Sequence, residues 1–223
     1  IAQDMAQINK NNNGALFNNS TLGKFAPGSV FKIVSADAIL ESGISQNYND
    51  KGTEKIDNGR EFKNSTGKAY GRINLKTAFT HSVNTYFVRK TVDVGLDIYS
   101  NVCQKFMINK KVDFDLPLET STWDYNRQGF DKTALGSAGI GHDNILVTPL
   151  EMCMITSAIA NDGVMMKPHL VKAINGSDGK NILINNPEVL SECTSKENAN
   201  IIKNMMVNVV NNGTGTEAYV KGY

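Results

Sequence analysis

The sequence predicts a helix-rich α/β chain in which the helices form most of the core and the strands are short and few. Apolar residues recur at helical spacing in a succession of segments, and several of these are bracketed by capping and stop residues. Strand-like runs around a glycine turn stand out in one place, at 169–174 and 181–184.

The elements follow in chain order. Residues 1–24 are polar and Asn-rich (Asn11, Asn12, Asn13, Asn18, Asn19), without periodicity, and read as an irregular lead-in. A helix opens at Pro27-Gly28-Ser29 and carries Val30, Phe31, Ile33, Val34, Ala38, Ile39 and Leu40 to a stop at Gly43. Its apolar residues crowd more than one face, which predicts burial. Residues 44–72 read as loop with little to contribute to a core. Asn74 is placed to cap a helix through Leu75, Ala78 and Phe79; the pattern resumes at Thr85–Val88 and ends at Gly95. Another amphipathic helix fits 96–108. A loop at 117–130, with Trp123 and Tyr125 expected as partly buried anchors, precedes the small-residue run 134–141. The strongest helix signal is Thr148-Pro149-Leu150-Glu151: an N-cap, a proline at N1 and a capping box, with Gly163 as the stop. After the hairpin, Ser195 caps a last helix through Ile201, Ile202, Met205, Met206, Val209 and Val210. The divisions are the lead-in 1–24, a helical lobe 25–163, and 164–223 with the hairpin and final helix.

Composition narrows the function classes. The 223 residues carry 23 Lys+Arg and 22 Asp+Glu. That balance leaves no electrostatic footprint for nucleic acid. The length suits one domain, or one with a sub-lobe, and suffices to bury roughly 70% of the unfolded surface. No apolar run of about 18 residues spans a membrane, and no signal peptide opens the chain. The 27 Asn and the excess of Lys over Arg reflect nucleotide composition rather than mechanism. Cys103, Cys153 and Cys193 form no CxxC and are expected as buried free thiols, which excludes a disulfide-stapled scaffold. His81, His142 and His169 lack metal-ligand spacing and read as loop or helix-terminal histidines; for His81, which adjoins Ser82, a supporting role near the site is the alternative reading. Met152, Met154, Met165, Met166, Met205 and Met206 are expected as core filler.

Two constellations carry chemistry. Ser29 and Lys32 are three apart at a helix start, so the lysine stands over the serine within hydrogen-bond reach. Free N–H groups and the helix dipole there favour a developing oxyanion. A serine needs a base, and a lysine whose pKa is lowered by desolvation supplies one. Ser65–Lys68 and Ser177–Lys180 repeat the spacing but contain glycine in turn-like stretches, so they read as solvated loop. Ser82-Val83-Asn84 breaks a helical pattern 53 residues after Ser29 and presents a hydroxyl with a carboxamide.

In this order the motifs resemble those of the penicillin-binding serine transpeptidase superfamily, S-x-x-K, S-x-N and K-T-G. Phe25–Lys32, Ile73–Leu75 leading into Ser82–Phe87, and Gly141–Leu150 with Ala160–Gly163 and Pro168 are similar to its blocks, a likeness covering roughly 20–223. The resemblance implies a β-lactamase/transpeptidase-like α/β fold, of which this chain holds mostly the helical part. It implies Ser29 as acylated nucleophile, Lys32 as its base and Ser82 as proton relay. Asn84 would hold the substrate amide, and the Ser29 N–H would form half of the oxyanion hole. The implied reaction is D,D-transpeptidation of peptidoglycan stem peptides, inhibited by β-lactams, on the outer face of a bacterial membrane, with the anchor upstream of residue 1 and no metal or cofactor. K-T-G is missing, and His142 stands where the family usually has Gln. The expectation is therefore a chain cut before its third motif, with most of the central sheet outside it and weak acylation on its own. A serine β-lactamase, a β-lactam sensor and a non-catalytic scaffold are the alternatives; Asn84 and the lack of an identifiable deacylating Glu weigh against the lactamase.

Overall fold

The computed structural model describes residues 2–10 and 14–222, which leaves Asn11, Asn12 and Asn13 outside the described residues. The centre of the molecule is helix α2 (Lys32–Ser42), preceded by a 3₁₀ turn at Gly28–Phe31 and closed by Gly43 in the left-handed conformation. Residues Lys32 to Ile39 of α2 are all buried, as expected of a helix apolar on more than one side. Around it stand α3 (Leu75–Thr80), α4 (Asn84–Val94), α5 (Leu96–Lys105), α7 (Pro149–Ala160) and α8 (Lys196–Asn212), each in contact with α2. Asn74, Thr148 and Ser195 cap α3, α7 and α8 by accepting from the N–H groups of Thr77, Glu151 and Asn198.

Helix α6 (Lys132–Ala138) lies against α4. Its sequence reads as a small-residue run rather than a helix, because Gly136 and Gly139 look like breakers. They serve a close approach instead: a Cβ on Gly136 would stand 2.9 Å from Val88 Cγ1, and one on Gly139 would overlap Thr91 Oγ1.

The strands form four antiparallel pairs among the described residues. Tyr48–Asp50 (β1) pairs with Gly71–Ile73 (β4), and Thr53–Lys55 (β2) with Glu61–Lys63 (β3). Val164–Met166 (β5) pairs with Val189–Glu192 (β8), and between them Ala173–Asn175 (β6) forms a hairpin with Asn181–Ile184 (β7).

Several sequence expectations are corrected. The loop expected at 44–72 holds two strand pairs and places Ile56 and Phe62 in the core; three-residue strands are too short to show alternation. The lead-in contains helix α1 (Ala2–Lys10), whose described side chains are exposed and so add nothing to the core. The helix fitted to 96–108 ends at Lys105, and Met107 and Asn109 turn left-handed. The first hairpin strand is confined to 173–175, because the Leu170 and Val171 N–H groups donate to Asp115 Oδ2 at 2.5 and 3.0 Å. The capping box is half formed: the Thr148 N–H donates to Ser121 Oγ, and Glu151 turns inward. Trp123 is a full core residue at 1% exposure, edge-on to Tyr99. Cys103 and Cys193 are buried free thiols, but Cys153 is exposed on α7. Met154, Met165 and Met205 are in the core, with Met152 and Met206 packed against it.

Candidate functional site

The site forms where the start of α2 meets the turn between α3 and α4. Gly28 has a left-handed φ of 59° and donates its N–H to the Gly141 oxygen at 3.1 Å. The two backbones approach so closely that a Cβ on Gly141 would overlap the Gly28 carbonyl. This contact fixes the chain just before Ser29, which is exposed in the 3₁₀ turn. Opposite it, Ser82 leaves α3 with φ 52°, a conformation that few residues other than glycine adopt.

That strained turn aims three oxygens at Lys32. Its Nζ lies 3.1 Å from Ser29 Oγ, 2.8 Å from Ser82 Oγ, 2.9 Å from the Ser82 carbonyl and 2.7 Å from Asn84 Oδ1. The structure thus brings together all four sequence-predicted residues: Ser29, Lys32, Ser82 and Asn84. The predicted contact of Ser29 with Lys32 is present, though Ser29 sits in a 3₁₀ turn rather than in the first α turn.

The protons can be assigned by chemistry. Burial lowers the Lys32 pKa from 10.5 to about 7. The neutral amine has two N–H groups and a lone pair. The Ser82 carbonyl and Asn84 Oδ1 can only accept, so they claim both N–H groups. The lone pair is left for the two hydroxyls, the arrangement a general base requires. Phe87, fully buried with its ring 5.4 Å from Nζ, closes the floor.

Asn84 is itself held, because its Nδ2 donates to the Lys63 carbonyl of β3 at 3.1 Å. Behind it is a buried network that no sequence pattern announces. Asn64 Oδ1 accepts from the Thr85 N–H and hydroxyl, and Asn64 Nδ2 donates to Asp50 Oδ2. Asp50 also accepts from the Thr85 hydroxyl, the Gly52 N–H and the Tyr70 N–H. No local signal marks these residues: Asp50 and Asn64 lie in a loop-like stretch that is rich in such side chains.

Ser29, Lys32 and Ser82 open onto a cavity of about 350 Å³ whose other wall is Phe79, Met206 and Val209. His81 stacks on Tyr70 at 5.5 Å, and His142 is exposed. The other S-x-x-K pairs, Ser65–Lys68 and Ser177–Lys180, lie in exposed turns.

The family model for the penicillin binding protein transpeptidase domain matches residues 2–223. The chain belongs to this family. Among relatives of the transpeptidase domain, the peptidoglycan D,D-transpeptidase PbpA of Mycolicibacterium smegmatis is 29% identical over 200 residues, 86% of this chain. The peptidoglycan D,D-transpeptidase MrdA of Haemophilus influenzae is 28% identical over 229 residues, 92% of this chain. The chain spans 40% of that PbpA and 34% of that MrdA. The D,D-transpeptidase domain of a peptidoglycan glycosyltransferase from Eggerthella lenta superposes with a TM-score of 0.90 at 30% identity, over 99% of this chain and 57% of that one. Penicillin-binding protein A of M. tuberculosis, as an imipenem acyl-enzyme, gives 0.86 at 26% identity, over 94% of this chain and 49% of that one. The expected β-lactamase/transpeptidase-like α/β fold is therefore the fold of this chain. Among its described residues, no helix is long and apolar enough to cross a membrane.

Proposed function

We propose that the chain is part of a peptidoglycan D,D-transpeptidase that works through a serine acyl-enzyme and is a target of β-lactams. Ser29 Oγ attacks the carbonyl carbon of the penultimate peptide bond of a D-Ala-D-Ala stem, and its proton passes to Lys32 Nζ. The Ser29 N–H contributes half of the oxyanion hole, and Asn84, with one Nδ2 hydrogen beyond its bond to Lys63, holds the substrate amide. As the C–N bond breaks, Ser82 relays the proton to the departing D-alanine amine. The amine of a neighbouring stem then attacks the Ser29 ester, forms the new peptide bond and regenerates the hydroxyl. The protein would act on the extracytoplasmic face of a bacterial membrane.

The observation that carries this reading is the Lys32 amine, buried and held by two pure acceptors, with its lone pair left for Ser29 and Ser82. Relatives named D,D-transpeptidases and an acyl-enzyme neighbour support it. The test is labelling by fluorescent penicillin of protein expressed from the complete reading frame, mapped by mass spectrometry. One adduct per chain on the peptide containing Ser29, lost in Ser29→Ala and Lys32→Met, is expected. A label elsewhere, or one that survives Ser29→Ala, overturns the assignment. An adduct lifetime of hours fits a transpeptidase, and rapid turnover would make the protein a β-lactamase.

A further inference from the structure

We propose that the cleft between the tip of the β2–β3 hairpin and α6 is a second ligand site, built for a zwitterionic amino-acid head: one carbon bearing a free ammonium and a carboxylate. The cleft has a volume of about 560 Å³, and Arg60, Asp131, Ser137, His142 and Asp143 line it. Its occupant, the amino-acid end of a stem peptide or the released D-alanine, rests on the acyl-transfer reading. The site itself rests on the following geometry.

Arg60 is fixed but electrically unspent. Its guanidinium lies over the Phe62 ring at 4.6 Å, and Nη2 donates to the buried Ser137 hydroxyl at 2.7 Å. Gly59 presses the hairpin tip onto α6 so tightly that a Cβ there would overlap the Thr133 side chain. Both guanidinium contacts are to neutral groups, and among the described residues no carboxylate pairs with Arg60. Most of its five donors remain for a ligand.

The acidic groups of the cleft differ from one another. Asp143 is already paired, with Oδ1 accepting from Arg127 at 2.5 Å and Oδ2 from the Trp123 indole at 3.4 Å. Asp131 caps α6 by accepting from the Ala134 N–H, and among the described residues no cation pairs with it. Lys132, the nearest amine in sequence, lies 3.8 Å from Asp57. What remains is one guanidinium and one carboxylate without ionic partners, in a cleft of no net charge. Such a surface favours a dipolar ligand over a simple anion or cation.

The position suits the reaction. The Ser137 carbonyl accepts from the His142 N–H at 3.1 Å, and the adjoining Gly141 oxygen holds Gly28, next to Ser29. The cleft wall and the nucleophile therefore share one rigid backbone contact.

The test is a ¹H–¹⁵N NMR titration of this chain with D-alanine, against N-acetyl-D-alanine, which lacks the ammonium charge, and D-alaninamide, which lacks the carboxylate. D-Alanine is expected to give saturable shifts at Arg60, Ser137 and His142, with each analogue about tenfold weaker. Arg60→Gln and Asp131→Asn should each reduce D-alanine affinity about tenfold, and Asn keeps the α6 cap, so loss of fold is not the cause. Ser29→Ala should bind normally. Equal binding of all three probes, no saturable shift, or full binding in both variants overturns the site. Penicillin labelling with no D-alanine shift removes this site alone. D-Alanine binding without labelling keeps the site and removes the acyl-transfer reading.

Discussion

Lys32 shows how one residue can be both costly and useful. It is 3% exposed, and among the described residues no carboxylate pairs with it; the cost of burying its charge is expressed as a pKa lowered to about 7. The amine is the active form and is populated above that pKa, so acylation should gain about tenfold per pH unit below 7 and level off above it. The acylation rate constant measured across pH checks this, and a rate flat from pH 5 to 9 would remove Lys32 as the base. Ser82 offers a second test. Its left-handed backbone suits glycine, so in Ser82→Gly the relief of strain offsets the added chain entropy, and stability should stay within about 1 kcal/mol. The carbonyl contact to Lys32 survives in that variant, but the hydroxyl is gone. Acylation should fall roughly 10²–10⁴-fold while the melting temperature hardly moves, which separates the relay from the fold.

Helix α4 poses the problem of the next scale, because its N-terminus has no cap of its own. Val83 is the N-cap residue and makes no side-chain bond. Asn64, brought in by β3 from 21 residues away, accepts from the Thr85 N–H instead. Thr85→Val would keep the shape and strip Asp50 and Asn64 of a buried donor, at a cost of about 1–3 kcal/mol. Urea unfolding measures it; a loss below a few tenths would mean the network does not hold the helix. The same dependence explains what is legible in the sequence. Asn74, Thr148 and Ser195 announce their helices because cap and helix are contiguous, and Ser29, Lys32, Ser82 and Asn84 are visible as spaced motifs. The α4 cap, the strand pairs within 44–72 and the Arg60 cleft arise from residues distant in sequence or from strands of three residues, so no local pattern contains them. Helix α6 is hidden for a related reason: its glycines are explained by Val88 and Thr91 on the facing helix.

Across the whole molecule, the hydrophobic interior encloses three carboxyl groups that form no ion pair among the described residues; Asp50 is held by the neutral donors around it, whereas Asp37 and Glu151 each keep an oxygen without a partner among those residues. Asp37 on α2 accepts from Thr194 and Asn198 through Oδ1, while Oδ2 has no partner among the described residues; burial raises its pKa to about 6. Glu151 on α7 is raised by burial to about 8, and its Oε1 is likewise without a partner among the described residues. Both carboxyls are held above their ordinary values of 3.8 and 4.5, so the folded chain binds more protons than the unfolded chain as pH rises past those values. Their contribution is fully present below about pH 4 and is lost as pH rises through about 6 for Asp37 and about 8 for Glu151. Lys32 adds no slope below about pH 6, where it is charged in both states, and gains stability for the fold only as pH climbs above 7. Glu41 and Lys105 act on Asp37 in opposite directions, and the surface carboxylates Asp115 and Asp162, whose pKa values are lowered, lean against the trend under solvent screening. The clean measurement is therefore a difference between proteins rather than an absolute slope. Asp37→Asn with Glu151→Gln keeps size and hydrogen-bonding shape and removes both titrations. Relative to the unsubstituted chain, the double variant should gain up to about 6 kcal/mol more at pH 7.5 than at pH 4, seen as a melting-temperature difference that widens with pH. A difference that stays constant over that range would mean that the two carboxyls reach water and that the core around α2 and α7 is looser than its burial indicates.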